Sequence, residues 1–251
     1  MAMPTNHAIL SASSSHRWLE CPPSAKLCAE LPDTSSEYAQ EGTDAHALCE
    51  HRLKALLGRE TTDPTENLTY YNEEMERCAV EYATYAYEQV KKAKVACNDP
   101  IVLIEQKLDF SRWVPEGFGT GDCVIVADGT LSVIDFKYGK GVEVRAENNP
   151  QMMLYALGAL ELFDGIYDIS AVNMIIFQPR RDNISEYAIS KEELLRWANE
   201  ILTPTAQLAA NGDGDFKAGK HCRFCKVRAT CRKLAEYNLA LARYDFEPPA
   251  T

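Results

Sequence analysis

The chain has 251 residues and a formal net charge of −11; 46% of its residues are hydrophobic and 25% are charged. This composition predicts a globular protein of one large domain, or of a domain with a modest appendage, and excludes a low-complexity chain. No apolar run approaches the roughly 18 residues of a membrane span, and MAMPTNHAIL lacks the basic start and apolar core of a signal peptide. We therefore expect a cytoplasmic protein with no membrane partner.

The negative net charge argues mildly against a nucleic-acid partner, but one C-terminal segment reverses it. Between residues 217 and 233 there are seven basic residues and no acidic one. They are Lys217, Lys220, Arg223, Lys226, Arg228, Arg232 and Lys233. This segment is compatible with binding to a polyanion.

The N-terminal part of the chain is predicted to be helical. A short serine-capped helix ends at Cys21, because Pro22-Pro23 follows. Longer helices are predicted over about 37–57 and 73–94 from their apolar patterns. The first of them carries His46. Taken alone, Cys21 and His46 are typical of packing residues.

Three strands are predicted in the middle of the chain. The segment 100–110 alternates apolar and polar residues, with Glu105 near its middle, where a glutamate usually faces solvent. Two apolar runs, CVIVA and LSVID, flank Asp128-Gly129. Because Asp-Gly between such runs is a strong signal for a tight turn, we expect a β-hairpin here.

The hairpin brings ionisable side chains together at its open end. Its turn places Asp122, at the start of the first strand, beside Asp135, at the end of the second. Lys137 lies on the same face as Asp135, and Phe136 points away into the core. Two carboxylates and an ammonium group therefore converge at one edge of the sheet. Oxygen ligands of this kind suit hard divalent cations, and a neighbouring cation suits phosphate chemistry.

Further elements are predicted after the hairpin. They are a Gly-rich loop with Lys140, a helix over 148–163, a buried strand over 171–179 followed by Arg180, its hairpin partner over 184–189 and a helix over 191–209. Gln151 and Tyr155 are i, i+4 neighbours on one face of the first of these helices. Taken alone, Tyr155 is typical of a core aromatic residue.

The C-terminal motif C-x2-C-x5-C, formed by Cys222, Cys225 and Cys231, indicates a soft-metal site. A disulfide is improbable in the cytosol. Zinc would usually show a second cysteine or histidine pair, which is missing. Iron–sulfur clusters need four thiolates and accept widely separated ones. Cys21 is the best fourth candidate for a cluster, and His221 is the zinc-type alternative.

In chain order, these motifs resemble the RecB-like branch of the PD-(D/E)XK nucleases. The six motifs are Cys-Pro, G-T-x-x-H, G-x-x-D, D-x-K, Q-x-x-x-Y and C-x2-C-x5-C, and they span residues 7–235. The chain is similar in particular to iron–sulfur members such as the CRISPR-associated RecB-like exonucleases and the AddB nuclease domain, and to small stand-alone members of phage and prophage genomes. Each motif is common alone, but the ordered set is specific. One departure is that the usual Asp-Tyr-Lys is Asp-Phe-Lys here.

The resemblance implies a role for each matching residue. The implied ligands of Mg²⁺ or Mn²⁺ are His46, Asp122, Asp135 and the backbone carbonyl of Phe136. Lys137 matches the catalytic lysine, and Glu105 matches an acidic position of the active site. The implied DNA contacts are Gln151 and Tyr155, and we expect Lys140 and Arg180 to contact DNA as well. The implied ligands of a 4Fe-4S cluster are Cys21, Cys222, Cys225 and Cys231, with Zn²⁺ as the alternative at these cysteines.

The implied fold is α/β (α+β), a restriction-endonuclease-like core with a central mixed β-sheet flanked by helices. We expect a single nuclease domain over 1–251. It comprises an N-terminal helical part over 7–97 with the first cluster cysteine, the core over 98–190, and a C-terminal helix with the cysteine cluster over 191–240.

The implied function is that of a metal-dependent exonuclease that hydrolyses single-stranded DNA or DNA ends. Its setting would be phage, prophage or bacterial DNA recombination, repair or processing. DNA is the expected partner, a recombinase, an annealing protein or a helicase are further candidates, and an oligomer is compatible with the sequence. Two alternatives stay open: a non-catalytic iron–sulfur DNA-binding or recombination partner protein that keeps the nuclease fold, and a zinc-stabilised protein with no nucleic-acid role.

Overall fold

A five-stranded sheet with strand order β1-β2-β3-β4-β5 forms the centre of the fold in this computed structural model, which describes residues 8–32 and 36–244. The strands are β1 (Ile101–Asp109), β2 (Phe118–Ala127), β3 (Gly129–Phe136), β4 (Ile169–Gln178) and β5 (Asn183–Ser190). Neighbouring strands are antiparallel, except that β3 and β4 are parallel. The prediction of a mixed sheet flanked by helices is confirmed.

The described part of the chain also contains eight α-helices. They are α1 (Ser15–Glu20), α2 (Ser24–Ala29), α3 (Glu37–Leu56), α4 (Glu73–Ala96), α5 (Pro150–Phe163), α6 (Lys191–Trp197), α7 (Thr203–Asn211) and α8 (Arg232–Tyr244). A π-helical turn over Ala198–Leu202 lies between α6 and α7. Because Pro204 has no N–H to continue the α-helical bonding, the single helix predicted over 191–209 is divided here. Among the described residues, none of the helices combines the length and the apolar character that a bilayer crossing requires.

Local signals in the sequence fix the ends of several elements. Ala127 pairs with Thr130, so Asp128-Gly129 is a two-residue hairpin turn, with Gly129 at φ +84°. At the start of α5, the Asn149 side chain accepts a hydrogen bond from the backbone N–H of Gln151 at 3.0 Å. Pro150 occupies the first turn, where its missing N–H costs nothing. This cap therefore sets where Gln151 enters the site.

Helices cover both faces of the sheet. On one face α3 and α4 enclose a core that includes Leu48, Tyr82 and Phe136, all at most 1% exposed. Side chains alternate along β3, so Val133 and Asp135 point to the other face, against which α5 packs. Helix α5 connects β3 to β4, and such a crossover is what allows two sequential strands to run parallel.

The chain folds into two units. One unit contains Met1–Asp33, Ser111–Gly117 and Trp197–Thr251, and the other contains Thr34–Phe110 and Phe118–Arg196 with the whole sheet. In the first unit α2 packs against α7, and Lys26 Nζ donates to the Asn211 carbonyl at 3.1 Å. The division of a single nuclease domain into 7–97, 98–190 and 191–240 stays a prediction.

The close approach of α5 to β1 gives a test of the fold. A Cβ added at Gly158 would lie 2.9 Å from Leu108 Cβ and 3.2 Å from the Asp109 carbonyl oxygen. We expect Gly158→Ala to lower the free energy of unfolding by about 1–3 kcal/mol, because the backbones must separate. The measurement is denaturant unfolding.

Gly42→Ala is the matched control for this substitution. Gly42 also lies inside a helix, but nothing lies within 4 Å of a Cβ added there. It should stabilise the protein by about 0.5–1 kcal/mol through helix propensity alone. Equal effects of the two substitutions would contradict the close packing of α5 on β1.

Candidate metal centre and active site

Three carboxylates lie at one level across β1, β2 and β3. Residues on either side of Glu105 pair with residues on either side of Asp122, so these two side chains face each other across β1 and β2. The same register continued across β2 and β3 places Asp135 opposite Asp122. The sheet thus gathers three acidic residues from distant parts of the sequence.

The backbone of β1 is strained where it presents Glu105. This residue has φ +50°, a left-handed conformation that non-glycine residues rarely adopt inside a strand. Such a conformation costs on the order of 1–3 kcal/mol and persists only where the surroundings impose it. It turns the Glu105 side chain, which is 29% exposed, toward the other acidic groups rather than leaving it on the solvent-facing surface.

Helix α3 adds an imidazole to this group. His46 Nδ1 lies 3.3 Å from Asp122 Oδ1 and 3.9 Å from Glu105 Oε1. One ligand atom from each of the three residues lies within 4.8 Å of the other two, and no other such trio of His, Cys, Asp or Glu occurs in the described ranges. Two carboxylates and one imidazole are ligands that suit Mn²⁺, and the carboxylates also suit Mg²⁺.

Contacts with Phe136 orient Asp122 and His46. The backbone N–H of Phe136 donates to Asp122 Oδ2 at 2.6 Å, which leaves Oδ1 directed at His46. The His46 ring meets the Phe136 ring edge to face, with centroids 5.4 Å apart. Phe136 therefore positions both residues, and its aromatic side chain at the centre of Asp-Phe-Lys has a structural reason.

Asp135 and Lys137 form a second part of the site, held by α5. Lys137 Nζ lies 2.7 Å from Asp135 Oδ2. Gln151 bridges the pair, because its Oε1 accepts from Lys137 Nζ at 3.1 Å and its Nε2 lies 3.4 Å from Asp135 Oδ1. Gln151 Nε2 also donates to the Tyr155 hydroxyl at 3.1 Å. Asp135 is 2% exposed, and no hydrogen bond of suitable geometry reaches its Oδ2.

The electrostatics of the site follow from burial of several charges close together. Burial lowers the pKa of His46, but the charges of Asp122, Asp135 and Glu105 outweigh it and raise that pKa to about 9. Burial raises the pKa of Glu105 to about 7, and the Asp122 charge adds to this effect. The pKa of Asp122 is nevertheless lowered, because His46 and Lys137 outweigh its burial. For Asp135, burial prevails over the Lys137 charge and raises the pKa.

Burial is the main cause of the raised pKa values of Glu105 and Asp135, and the charge of Asp122 adds to both. Glu105 and Asp135 both favour a proton more than an isolated carboxylate does, and His46 keeps one. A divalent cation would take the place of these protons, since ligands bind in their deprotonated forms.

Lys140 and Arg180, predicted to contact DNA, lie against acidic residues of the two long helices. Lys140 Nζ is 2.9 Å from a Glu74 carboxylate oxygen. The Arg180 guanidinium is 3.2 Å from Glu41 and 2.9 Å from Glu74, and it stacks over the Tyr138 ring at 4.3 Å. A phosphate would have to compete with Glu74 for both cations. Their contact with DNA stays a prediction.

Asp44 is a site-supporting residue that the sequence analysis missed. It is 5% exposed, and its carboxylate accepts from Gln40 Nε2 at 3.0 Å and from the Tyr70 backbone N–H at 2.8 Å. Through the bond to Tyr70, Asp44 attaches the turn of α3 that contains His46 to the segment that precedes α4. The sequence shows only that an acidic residue stands two positions before His46, and this spacing does not indicate that the residue is buried.

The four cysteines predicted as cluster ligands line one small cavity. The cavity lies in the unit formed by the chain ends. Cationic or ionisable groups around it belong to Arg17, Lys217, His221 and Arg228. A site for thiolates gains from such groups, since they offset negative charge.

A fifth thiol, which the sequence analysis did not single out, lies beside this group. Cys28 Sγ is 3.8 Å from Cys225 Sγ, and both residues are buried. Cys28 is not among the residues that line the cavity. In the described residues, no three thiols lie mutually as close as a tetrahedral zinc site requires.

Comparison with known proteins places the chain in a family. A family model described as "Protein of unknown function (DUF2800)" matches residues 7–251. The chain belongs to the DUF2800 family.

Two solved structures are similar to this DUF2800 chain. The first is named "Putative exonuclease" from Eubacterium rectale, with 11% identity and a TM-score of 0.46, over 92% of this chain and 94% of that one. The second is SSO0001, with 14% identity and a TM-score of 0.31, over 74% of this chain and 95% of that one. Since both TM-scores lie below 0.5, neither similarity carries weight for function.

Divalent cations should stabilise this DUF2800 member through the acidic group. We expect Mn²⁺ to raise the thermal unfolding midpoint, since a ligand present at about 100 times its Kd adds roughly 2.7 kcal/mol. Asp122→Asn should abolish the increment, because the group loses a charged oxygen ligand. The measurement is a thermal scan with and without Mn²⁺.

The control is Glu88→Gln, which removes an exposed carboxylate on α4 that pairs only with Lys91 within the described chain. It should keep the full Mn²⁺ increment. An unchanged increment in Asp122→Asn would place the cation elsewhere.

Proposed function

We propose that this chain is a metal-dependent deoxyribonuclease, an exonuclease that hydrolyses phosphodiester bonds of single-stranded DNA or DNA ends. One observation carries the proposal. His46, Glu105 and Asp122, whose ligand atoms lie close enough to hold a cation, are next to the ion pair of buried Asp135 with the half-buried Lys137 at the same end of the sheet. Phosphodiester hydrolysis needs both parts, a divalent cation and a fixed positive charge near the scissile phosphate.

The donor set fits Mg²⁺ or Mn²⁺. When bound, such an ion polarises the phosphate and makes a water molecule acidic near neutral pH. His46, Glu105 and Asp122 would hold it, with Asp135 and the Phe136 carbonyl as the further ligands that the resemblance implies. The Asp135 Oδ2 atom, buried without a well-aligned hydrogen bond, supports a place for Asp135 in the charge balance of that site.

Lys137 acts as a cation and not as a base. Burial opposes its charge, but Asp135 and Asp122 outweigh burial and raise the pKa of the ammonium group. Its Nζ therefore keeps its protons at neutral pH and donates them in hydrogen bonds. Directed at a non-bridging phosphate oxygen, this group stabilises the charge that develops in the transition state.

Gln151 controls where that ammonium group points. It bonds Lys137 through Oε1, while its Nε2 is shared between Asp135 and Tyr155. The proposed DNA contacts of Gln151 and Tyr155 rest on the resemblance. Gln151 is half-buried beside Lys137, whereas Tyr155 is only 6% exposed and bonds to Gln151.

We also propose a structural 4Fe-4S cluster in the other unit, held by Cys21, Cys222, Cys225 and Cys231. All four line one cavity although about 200 residues separate the first from the rest, and iron–sulfur clusters need four thiolates. The cluster would tie the two chain ends together. Recombination, repair or processing of phage, prophage or bacterial DNA is the corresponding setting, with a recombinase, an annealing protein or a helicase as candidate partners.

The catalytic proposal is tested with end-labelled DNA. Purified protein with Mg²⁺ or Mn²⁺ should degrade single-stranded DNA, and Lys137→Met should slow this by at least about 10²-fold, because a fixed charge at the phosphate is lost. Lys91→Met, at an exposed lysine of α4, is the matched control and should keep full activity. Circular and duplex DNA run in parallel separate exonuclease from endonuclease action.

If the wild-type protein leaves every DNA substrate intact with both Mg²⁺ and Mn²⁺, the proposal that it is a nuclease is wrong. DNA binding without cleavage would instead favour the non-catalytic DNA-binding alternative.

The cluster proposal is tested by comparing two cysteine variants. Anaerobically purified protein should be brown and contain iron and acid-labile sulfide. Cys21→Ser should lose both, because a cavity-lining thiolate is removed. Cys28→Ser, at a buried thiol outside the cavity lining, should retain them. If Cys28→Ser loses iron and Cys21→Ser does not, Cys28 is the fourth ligand in place of Cys21. If the protein contains stoichiometric zinc and no iron, the cysteines bind zinc and the cluster proposal is wrong.

A further inference from the structure

The basic segment 217–233 presents all of its positive charge to solvent. Each of its seven Lys and Arg residues is exposed, in a chain whose net charge is −11. Three of them are paired with carboxylates, Lys217 with Glu20, and Arg232 and Lys233 with Glu236. Lys220 and Arg223 have no carboxylate partner within the described part of the chain. This surface therefore carries unbalanced positive charge.

An exposed aromatic ring lies in the middle of these charges. Phe224 is 76% exposed, whereas Phe216, the other exposed phenylalanine among the described residues, is 48% exposed. The Arg223 guanidinium lies 5.6 Å from the centroid of the Phe224 ring. A phenylalanine this exposed contributes little to a core, and burying it against a partner would be favourable.

The backbone around Phe224 is held by consecutive turns. The N–H of Cys225 donates to the Cys222 carbonyl at 3.1 Å, and the N–H of Arg228 donates to the Cys225 carbonyl at 3.2 Å. Arg228 Nη1 bonds the Arg223 carbonyl at 2.7 Å, which closes the loop from its other side. Arg223 and Phe224 occupy the two positions between Cys222 and Cys225. Their outward placement is thus built into the backbone.

We propose that this surface binds single-stranded nucleic acid, with Phe224 stacking on an unpaired base and Lys220, Arg223 and Lys226 contacting phosphates. We call it the Phe224 surface. Charge complementarity requires an anionic partner, and the exposed ring selects an anion with accessible π-faces. Alternation of cations and aromatic rings is how proteins hold unpaired strands without sequence preference. A base inside a duplex offers no free face, so the strand must be single.

This inference deepens the proposed function and rests on it for the nature of the polymer. The Phe224 surface belongs to the unit that holds the cysteines, and the acidic group belongs to the unit that holds the sheet. Binding and hydrolysis are therefore separable by substitution.

Binding is measured by fluorescence anisotropy of a labelled oligothymidine, with full-length, anaerobically purified protein in EDTA so that no hydrolysis occurs. We expect Phe224→Ala to weaken binding roughly 5- to 100-fold, the effect of losing one stacked base. Arg223→Ala should lower the slope of log affinity against log salt by about 0.7, the value for one phosphate contact on a single strand. The same sequence as a duplex should bind more weakly and be insensitive to Phe224→Ala.

Two controls keep the outcome interpretable. Lys92→Ala removes one exposed charge on α4, outside the basic segment, and should leave binding unchanged. Thermal unfolding and iron content of Phe224→Ala must match the wild type, because its neighbours are cysteines.

The inference fails if Phe224→Ala binds oligothymidine as tightly as the wild type, or if single strand and duplex bind equally and respond alike. If the wild type hydrolyses DNA and Phe224→Ala binds as tightly as the wild type, this inference is wrong and the proposed nuclease function is unaffected. If binding depends on Phe224 but the wild type cleaves no substrate, the nuclease proposal is wrong and the Phe224 surface still binds single strands.

Discussion

Convergence of three carboxylates at one level of the sheet, with Asp122 and Asp135 buried and Glu105 29% exposed, is the constraint on which the candidate site depends. Glu105, Asp122 and Asp135 come from adjacent strands, so their mutual repulsion cannot be relieved by moving one side chain. The fold brings cations to them instead, His46 on α3 and Lys137 at the end of β3. Burial, with a smaller contribution from the Asp122 charge, nevertheless raises the pKa values of Glu105 and Asp135. A site in this condition is prepared for a further cation.

Several local costs surround the same site. Glu105 has a left-handed backbone inside a strand, and the carboxyl groups of Asp44 and Asp135 are buried. Each is unfavourable for folding alone, and each lies within or next to the acidic group. Natural proteins depart from local rules chiefly at functional sites, where the departure serves geometry. The clustering of these costs therefore supports a working centre over a surface ion-pair cluster.

Local patterns predicted the elements well, and long-range proximity only where a resemblance supplied it. The Asp128-Gly129 turn specified its hairpin because two-residue turns need such residues. The strand pattern alone favours a solvent-facing Glu105, because periodicity carries no information about a left-handed φ, and only the resemblance assigns Glu105 to the site. Cys28 and Cys225 are separated by 197 positions, and no spacing rule connects them. The division of the last long helix depends on how Pro204 is accommodated, which propensity does not specify.

The net charge of −11 conceals two opposite local demands. In the unit with the sheet, acidic side chains are concentrated at one site and favour binding of a cation. In the other unit, the segment 217–233 exposes unbalanced positive charge and favours binding of an anion. Averaging over the chain makes a polyanion partner look unfavourable, yet electrostatic interactions between exposed charges act over about 8 Å at physiological salt. Beyond that distance the remaining acidic surface is largely screened from a bound strand. The local distribution, and not the total, therefore decides which partners the chain can hold.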